Sequence, residues 1–187
     1  MEDSSVASLI SSFHTYMLDA IRKRRSHRKY STKPVENEKI NEILFAAMCS
    51  PSAHHKDPWH FIVVKNKEMK DKLSMATNYA AFAKDAPVII VITADKDIAY
   101  RLVEDASIAG AHIYLETTNQ KLGTCWVQVM GMETLQGTDS ETYVREILKI
   151  PSNQSVLCFM PIGYPAEDIP EHGDVRMVKE KIHEETW

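Results

Sequence analysis

The sequence predicts one domain in which helices cover both faces of a β-sheet, and three observations lead to this prediction. Helical and strand-like segments alternate along the 187 residues, and no composition shift marks a second domain. The strand-like run PVIIVIT is continuously apolar, which is typical of a strand buried on both faces. The composition is that of a globular protein, with 44% hydrophobic and 26% charged residues and no repeat or low-complexity tract.

The helices are predicted from apolar residues at helical spacing and from start and stop signals. The Ser-rich residues 1–12 precede the first helix and are expected to be flexible. Asn66, and either Asp139 or Ser140, are expected to cap shorter helices, the second of which stops before Pro151. The longer helices are predicted over about residues 12–23, 36–48 and 98–121.

The strands are predicted from short runs of aromatic and β-branched residues between turn signals. Gly123 stands where the longest helix is expected to end, and the third strand follows it directly. The last strand is followed by a turn, Gly163-Tyr164-Pro165. The four predicted strands are Trp59–Lys65, Pro87–Thr93, Thr124–Met130 and Val156–Ile162.

Composition and missing motifs exclude several classes of protein. The formal net charge of -4 argues against a polyanion-binding protein as a whole. Three widely spaced cysteines argue against a disulfide framework or a zinc site, and we expect them to be small buried hydrophobes. GxGxxG, Walker, GxSxG and HExxH motifs are absent from the sequence. No apolar run approaches a membrane span and no signal peptide is recognised, so we expect no membrane association and a cytoplasmic location.

A dense basic run, Arg22–Lys29, is the first candidate site. Six of its eight residues are Arg or Lys, although the protein is acidic overall. Arginine suits a phosphate because its planar fork donates two hydrogen bonds at once. Two alternatives stay open: a solvated helix end, since basic residues complement the negative end of the helix dipole, and nucleic-acid binding. Nucleic-acid binding is disfavoured because no aromatic residues interleave with the charges.

Three further segments are candidates, each weak alone. The polar loop 50–59 contains His54 and His55, but adjacent histidines rarely face one metal ion, so a metal is not expected. Residues 122–128 form a helix-to-strand turn whose backbone amides can face a ligand. Gly163 permits close backbone approach at the last turn.

Five segments taken together resemble, in order, the flavin-dependent nitroreductase family. The second is similar to the family's Pro-Ser-Ala-x-Asn-x-Gln-Pro-Trp-x-Phe loop and strand. The resemblance extends over about residues 14–187. The segments are IRKRRSHRKYSTKPV, SPSAHHKDPWHFIVV, KDAPVIIVITAD, EDASIAGAHIYLETTNQKLGTCW and YVREILKIPSNQSVLCFMPIGYPAE.

The resemblance implies an α+β fold with three α-β-α layers and a mainly antiparallel sheet. It also implies a homodimer that holds FMN at the subunit interface, with a C-terminal strand exchanged between subunits. Residues 1–187 would form one FMN-binding domain, of which about 166–187 extend over the partner. NADH or NADPH would be the transient reductant, and a small-molecule electron acceptor would stack on the flavin. No side chain then needs to act as a nucleophile.

The resemblance also implies which residues bind FMN. Arg24 and Ser26 would hold the phosphate and ribityl chain, and Arg28 would reach the pyrimidine side of the flavin ring. Val127 and Gln128 would bring backbone amides to flavin N5 and O4. The full set of implied FMN-binding residues is Arg24, Arg25, Ser26, Arg28, Pro51, Ser52, Ala53, His55, Trp126, Val127, Gln128, Gly163 and Arg176.

Pro51, Ser52 and Ala53, with His55, match the family loop that reaches the flavin from the other subunit, and Arg176 matches its second phosphate cation. The chain departs from the loop pattern at two positions. His55 stands where the family has Asn, and Asp57 stands where it has Gln. An ionised Asp only accepts hydrogen bonds, so its polar contacts to a flavin would differ, whereas His55 is a candidate proton donor to the substrate.

Three functions remain open from the sequence. The first is NAD(P)H-dependent reduction of a nitroaromatic, a quinone or a similar acceptor. The second is flavin binding without general nitroreductase turnover, as in a carrier, a sensor, or a dehalogenating or flavin-degrading relative. The third is an interaction protein whose basic run binds nucleic acid, which a colourless protein with salt-sensitive DNA binding would support.

Overall fold

The computed structural model describes residues 17–172 and 178–187, and its centre is a five-stranded sheet with a hydrophobic core on each face. The strands are β1 (Trp59–Val64), β2 (Val88–Asp95), β3 (Gly123–Thr124), β4 (Val127–Gln128) and β5 (Gln154–Gly163). The helices are α1 (Asp19–Lys23), α2 (Asn37–Met48), α3 (Lys67–Leu73), α4 (Leu102–Asn119) and α5 (Ser140–Leu148).

The sheet is antiparallel throughout. Its order is β1-β2-β5-β3, and β4 also pairs with β5. The α+β class, the antiparallel sheet and the helical layers on both faces are therefore confirmed. The exchange of a C-terminal strand between subunits stays a prediction.

Strand β2 supplies both cores because its side chains alternate between the two faces. Val88, Ile90 and Ile92 pack in the core beneath α2 and α4. Ile89 and Val91 pack in the core that includes residues of α3 and α5. The strand is buried on both faces, as its apolar run predicts, although it is antiparallel.

Both predicted N-caps are present. The Asn66 side chain accepts from the Met69 amide at 3.1 Å at the start of α3. The Asp139 side chain accepts from the Thr142 amide at 2.7 Å at the start of α5.

Two predicted helices differ from the described structure near their starts. In the predicted helix 12–23, residues 12–16 lie outside the described residues, Leu18 is not helical (ψ 126°), and α1 extends over Asp19–Lys23. The predicted start at residue 98 was also wrong, because residues 95–99 form a separate turn. In this turn the Asp97 amide donates to Asp95 Oδ1 at 2.9 Å, and the Ala99 amide donates to the Asp95 carbonyl at 3.1 Å. The helix α4 therefore begins only at Leu102.

The predicted strand 124–130 is wrong in one respect, since it is interrupted at Cys125 and Trp126. The register pairs Thr124 with Ile162 and Val127 with Phe159, so Cys125 stands opposite Pro161. Proline has no N–H and cannot complete the pair of hydrogen bonds expected there. The expectation of three buried cysteines also fails, because Cys49 is exposed.

Within the described ranges, no helix combines the length and the apolar character that a bilayer crossing requires.

Candidate functional site

The basic run leaves α1 and lies along the edge of the sheet. Ser26 forms a parallel bridge with Thr124, and the His27 amide donates to the Thr124 carbonyl at 3.0 Å. This close approach requires glycine at position 123, because a Cβ there would lie 2.7 Å from the His27 side chain. The absence of a side chain at Gly123 therefore lets the basic run pack against the strand, in addition to the role of Gly123 after the long helix.

Tyr30 locks the end of the run to the sheet. Its hydroxyl lies 2.6 Å from the His27 carbonyl oxygen and 3.1 Å from the Pro161 carbonyl oxygen. Burial raises the pKa of Tyr30 well above its ordinary value, so the hydroxyl stays protonated and remains a donor. The Ser31 amide donates to the Tyr164 carbonyl at 2.9 Å, which joins the run to the turn after Gly163.

Gly163 is the last residue of β5 and pairs with Gly123. A Cβ at Gly163 would lie 2.6 Å from Pro87 Cδ, so the absence of a side chain is required for packing inside the chain. Whether Gly163 also contacts a ligand stays a prediction.

Tyr114, on α4, connects the basic run to the edge strands. Its ring centroid lies 5.1 Å from the Arg24 guanidinium carbon. Its hydroxyl oxygen lies 3.3 Å from Ser26 Oγ and accepts from the Trp126 amide at 2.7 Å. Burial raises its pKa, which keeps the hydroxyl neutral. Tyr114 is not among the residues predicted from the sequence, because a tyrosine in the long helix has no local feature that shows it will contact the basic run, 88 residues away.

The backbone of β4 presents its groups alternately to β5 and to the open edge. The Val129 amide donates to the Leu157 carbonyl at 3.0 Å, and the register continues as Val127 opposite Phe159, so the amides of Val127 and Val129 face β5. The Trp126 amide faces the other way, toward Tyr114. The same alternation places the Gln128 amide at the open edge and directs the Val127 amide to β5. Of the two amides that the sequence predicts to face a ligand, that of Gln128 has the suitable orientation.

The side chains of Trp126 and Gln128 make hydrogen bonds to nearby residues of their own segment. Trp126 Nε1 donates to Gln128 Oε1 at 2.8 Å, and Gln128 Nε2 donates to the Met130 carbonyl at 3.0 Å. The Trp126 ring lies against Gly110, where a Cβ would not fit. The Gln128 side chain is therefore committed to Trp126 and Met130, which leaves its backbone as the group available to a ligand.

The arginines of the run differ in their contacts. Arg22 pairs with Asp19 and Glu171. Arg24 and Arg25 instead flank the ring of His172, with guanidinium nitrogens 3.2 Å from Nε2 and 3.3 Å from Nδ1. Among the residues that the structure describes, neither has a carboxylate within salt-bridge distance, so both guanidinium groups suit an external anion.

Two predicted arginines remain, Arg28 and Arg176. Arg28 is exposed, and its guanidinium carbon lies 5.9 Å from the Phe82 ring centroid. Arg176 lies outside the described residues, so its assignment as a phosphate ligand stays a prediction.

The loop at residues 51–57 is held by its own contacts. Ser52 Oγ donates to Asp57 Oδ1 at 2.6 Å and accepts from the Asp57 amide at 2.9 Å. The Ala53 amide donates to Asp105 Oδ1 at 2.9 Å, which ties the loop to the first turn of α4. The aspartate that replaces the family glutamine therefore closes the loop on itself. Pro51 and His55 are exposed.

The loop and the basic run lie on different sides of α4. The loop contacts Asp105, whereas the run contacts Tyr114. Nine residues of helix correspond to about 13 Å along the axis and to half a turn around it. The structure thus brings Arg24, Arg25, Ser26 and the 123–128 edge together, and it leaves the predicted loop residues elsewhere in the same subunit.

A family model described as "Nitroreductase family" matches residues 21–78 and 72–164. The chain belongs to the nitroreductase family. A protein of Methanothermobacter thermautotrophicus, provisionally named an NADH dehydrogenase/NAD(P)H nitroreductase, is 40% identical over 174 residues, which are 91% of this chain and 87% of that protein.

Other nitroreductase-family similarities extend to structure and to a different activity. A solved structure of an FMN-dependent nitroreductase from Clostridium difficile R20291 has a TM-score of 0.87 and 39% identity, covering 91% of this chain and all of the other. An iodotyrosine deiodinase of Nematostella vectensis is 26% identical over 180 residues, covering 80% of this chain and 67% of that protein.

Proposed function

We propose that this nitroreductase-family chain is an FMN-dependent oxidoreductase, which takes electrons from NADH or NADPH and reduces a small oxidised acceptor such as a nitroaromatic or a quinone. Two similar proteins carry names of this kind, one an FMN-dependent nitroreductase and the other an NADH dehydrogenase/NAD(P)H nitroreductase. The acceptor and the alternating, ping-pong order of the two half-reactions are part of the proposal.

The observation that carries the proposal is that Arg24 and Arg25 adjoin Ser26, which is bridged to the sheet edge at Thr124, and that the Gln128 amide is open further along this edge. The two guanidinium groups offer donors to a dianionic phosphate. Ser26 and the Gln128 amide add a hydroxyl and a backbone donor along the same edge. The arrangement needs no glycine-rich phosphate loop, which agrees with the absence of such a motif from the sequence.

A homodimer completes the proposed site. The loop at 51–57 and the basic run lie on opposite sides of α4, so we propose that the loop serves the flavin of the other subunit. Large apolar side chains are exposed on the paired helices α2 and α4, which suits a dimer interface: Phe45 is 66% exposed, Met48 58% and Val103 47%. The exposed tail, with Trp187 fully exposed, is proposed to extend over the partner.

Bound FMN would supply the ring that accepts a hydride and passes on electrons. The chain's own residues would hold the phosphate through Arg24 and Arg25 and orient the ring through the Gln128 amide. In the overall reaction, NAD(P)H gives up a hydride. A quinone acceptor takes both electrons and two protons, the second of which comes from solvent.

Anaerobic titration of the purified, FMN-loaded protein tests the proposal. We expect NADH or NADPH to bleach the flavin absorbance and menadione or nitrofurazone to restore it, each with two-electron stoichiometry. A protein that cannot be loaded with FMN, or whose flavin is not bleached by either nucleotide, would contradict the proposal.

The similarity to iodotyrosine deiodinases makes dehalogenation the second candidate function. The same reduced protein is therefore offered 3-iodotyrosine, with release of iodide as the measurement. Reoxidation by iodotyrosine, with no reoxidation by menadione, would favour the second candidate.

A further inference from the structure

A buried carboxylate behind the loop at residues 51–57 has a role that the proposed function does not yet include. Asp105 is only 2% exposed although it lies in the first turn of α4. Its Oδ1 accepts from the Ala53 amide at 2.9 Å. Its Oδ2 is buried without a hydrogen-bond partner among the described residues.

Stabilisation of the helix dipole does not account for this burial. An acidic residue in the first turn stabilises a helix from the surface, and the neighbouring Glu104 does so while exposed. Burying a carboxylate with one unsatisfied oxygen is costly. The contact with the loop backbone is the interaction that distinguishes Asp105 from Glu104.

The loop that Asp105 contacts has a strained backbone. Three of its residues have left-handed φ values, with 56° at His54, 53° at His55 and 47° at Asp57. Such conformations cost on the order of 1 kcal/mol each outside glycine, and they persist only where surrounding contacts impose them. The Ser52–Asp57 pair closes the loop. Among the described residues, the Ala53–Asp105 hydrogen bond ties the loop to α4, and the His54 ring centroid lies 4.5 Å from that of Tyr100, just before this helix.

We propose that Asp105 is a positioning residue for the flavin-facing loop: its carboxylate holds Ala53 and so sets where Pro51–His55 meet the bound flavin and acceptor. The proposal rests on the proposed function. In this role Asp105 would act through Ala53 and not by direct contact with flavin or electron acceptor.

Removing the hydrogen-bond acceptor, the carboxylate of Asp105, tests the proposal. In Asp105→Ala we expect kcat/KM for menadione to fall about tenfold or more, because small displacements of positioned groups have large kinetic effects. The Kd for FMN should change less than about threefold, because Arg24 and Arg25 hold its phosphate on the other side of α4. Asp105→Asn keeps an oxygen acceptor of the same shape and should restore kcat/KM. Glu104→Ala is the matched control and should match the unaltered protein.

Removing the hydrogen-bond donor, the Ala53 amide, tests the same interaction. Ala53→Pro deletes the N–H, and Ser52 already has the extended backbone that a following proline requires (φ -132°, ψ 157°). We expect the same loss as in Asp105→Ala, and no further loss in the double variant, since both remove one interaction. If Asp105→Ala does not fold, Ala53→Pro and Asp105→Asn carry the test.

Unchanged kcat/KM in folded Asp105→Ala, or losses that multiply in the double variant, would overturn the positioning role. Failure of the unaltered protein to bind FMN or to react with NAD(P)H would instead overturn the proposed function, so the two failures are distinguishable.

Discussion

The basic run and the loop at residues 51–57 are built in opposite ways, although both are proposed to face one flavin. The run is joined to the sheet by backbone contacts at Ser26 and His27 and by the buried hydroxyl of Tyr30. The loop has three left-handed residues, a hydrogen bond from Ala53 to a helix, and a ring contact between His54 and Tyr100. In the proposed site, the FMN phosphate would be held at the sheet, whereas the flavin ring would be approached by a strained segment with one hydrogen bond to α4.

The comparison also bears on the number of subunits. Because the two regions lie half a turn apart around α4, one chain presents them in different directions. In the proposed dimer, a flavin held at the run would receive its loop from the other copy. A monomeric protein that binds FMN and turns over at full rate would remove the basis of this comparison.

The largest expected effect is the loss of FMN affinity on mutation in the basic run, which is joined to the sheet. Arg24→Ala removes a charged donor, and we expect the affinity for FMN to fall about 10- to 100-fold, since hydrogen bonds involving charged groups contribute about 1.5–3 kcal/mol. Fluorescence titration of FMN into the flavin-free protein measures this change. Lys29→Ala, in the same run but exposed and paired with Glu167, is the charge-matched control and should change the affinity less than twofold. Equal losses in both variants would show a general charge effect and no phosphate contact at Arg24.

A methyl group at Gly123 should disturb the packing of the basic run against β3. Gly123→Ala places a Cβ 2.7 Å from His27, so the run must move off β3. We expect a loss of about 1–3 kcal/mol in the free energy of unfolding, as for other overpacked sites, together with weaker FMN binding. Urea denaturation of the flavin-free protein measures the first effect. An unchanged denaturation midpoint would mean that the run is not pinned to the strand.

A smaller effect is expected at His172. A neutral imidazole has one acceptor nitrogen, so it can satisfy only one of the two arginines beside it, whereas a phosphate can satisfy both. FMN must then displace the ring, and His172→Ala should raise FMN affinity about two- to fivefold by removing that competition. Glu171→Gln, which loosens the same segment at Arg22, is the control and should raise affinity less. Weaker FMN binding in His172→Ala would identify His172 as a ligand and refute the competition.

Local pattern was sufficient for most of the fold. Helical spacing and capping residues located α2, α3 and α5, and the apolar run located β2. The interruption of the third strand could not be predicted, because it depends on the register that sets Cys125 opposite Pro161, a contact between distant segments. The antiparallel order followed from the family resemblance and not from the alternation of helices and strands.

The candidate site divides in the same manner. The basic run and the helix-to-strand turn were recognised as candidates, because each is visible in one stretch of sequence. The family resemblance added the amides of Val127 and Gln128, of which only that of Gln128 has an orientation suited to a ligand. Tyr114, Asp105 and His172 were not recognised, since each acts on a segment at least 52 residues away along the chain. A tyrosine or an aspartate on an amphipathic helix carries no local sign of which loop it will contact.

The smallest expected effect concerns the turn at Tyr164, which adjoins the end of the basic run. The Tyr164 hydroxyl lies 2.7 Å and 3.0 Å from the two Glu36 oxygens, and this hydrogen bond, more than the nearby Lys33, lowers the pKa of Glu36 to about 2 from 4.5. A depressed folded-state pKa gives stability that is present above pH 4.5 and is lost as the pH falls toward 2. Glu36→Gln should remove this part of the acid dependence of the unfolding free energy.

The effect of Glu36→Gln should be slight, because the carboxylate is exposed to solvent. Denaturation curves between pH 5 and pH 2 measure it, with Glu38→Gln as an exposed control in the first turn of α2, which Glu36 precedes. Overlapping pH profiles for Glu36→Gln and the unaltered protein would show that the ionised Glu36 carboxylate does not contribute to the free energy of unfolding through Tyr164. The attachment of the end of the basic run would then rest on the backbone contacts at Ser31 and on Tyr30, neither of which titrates in that range.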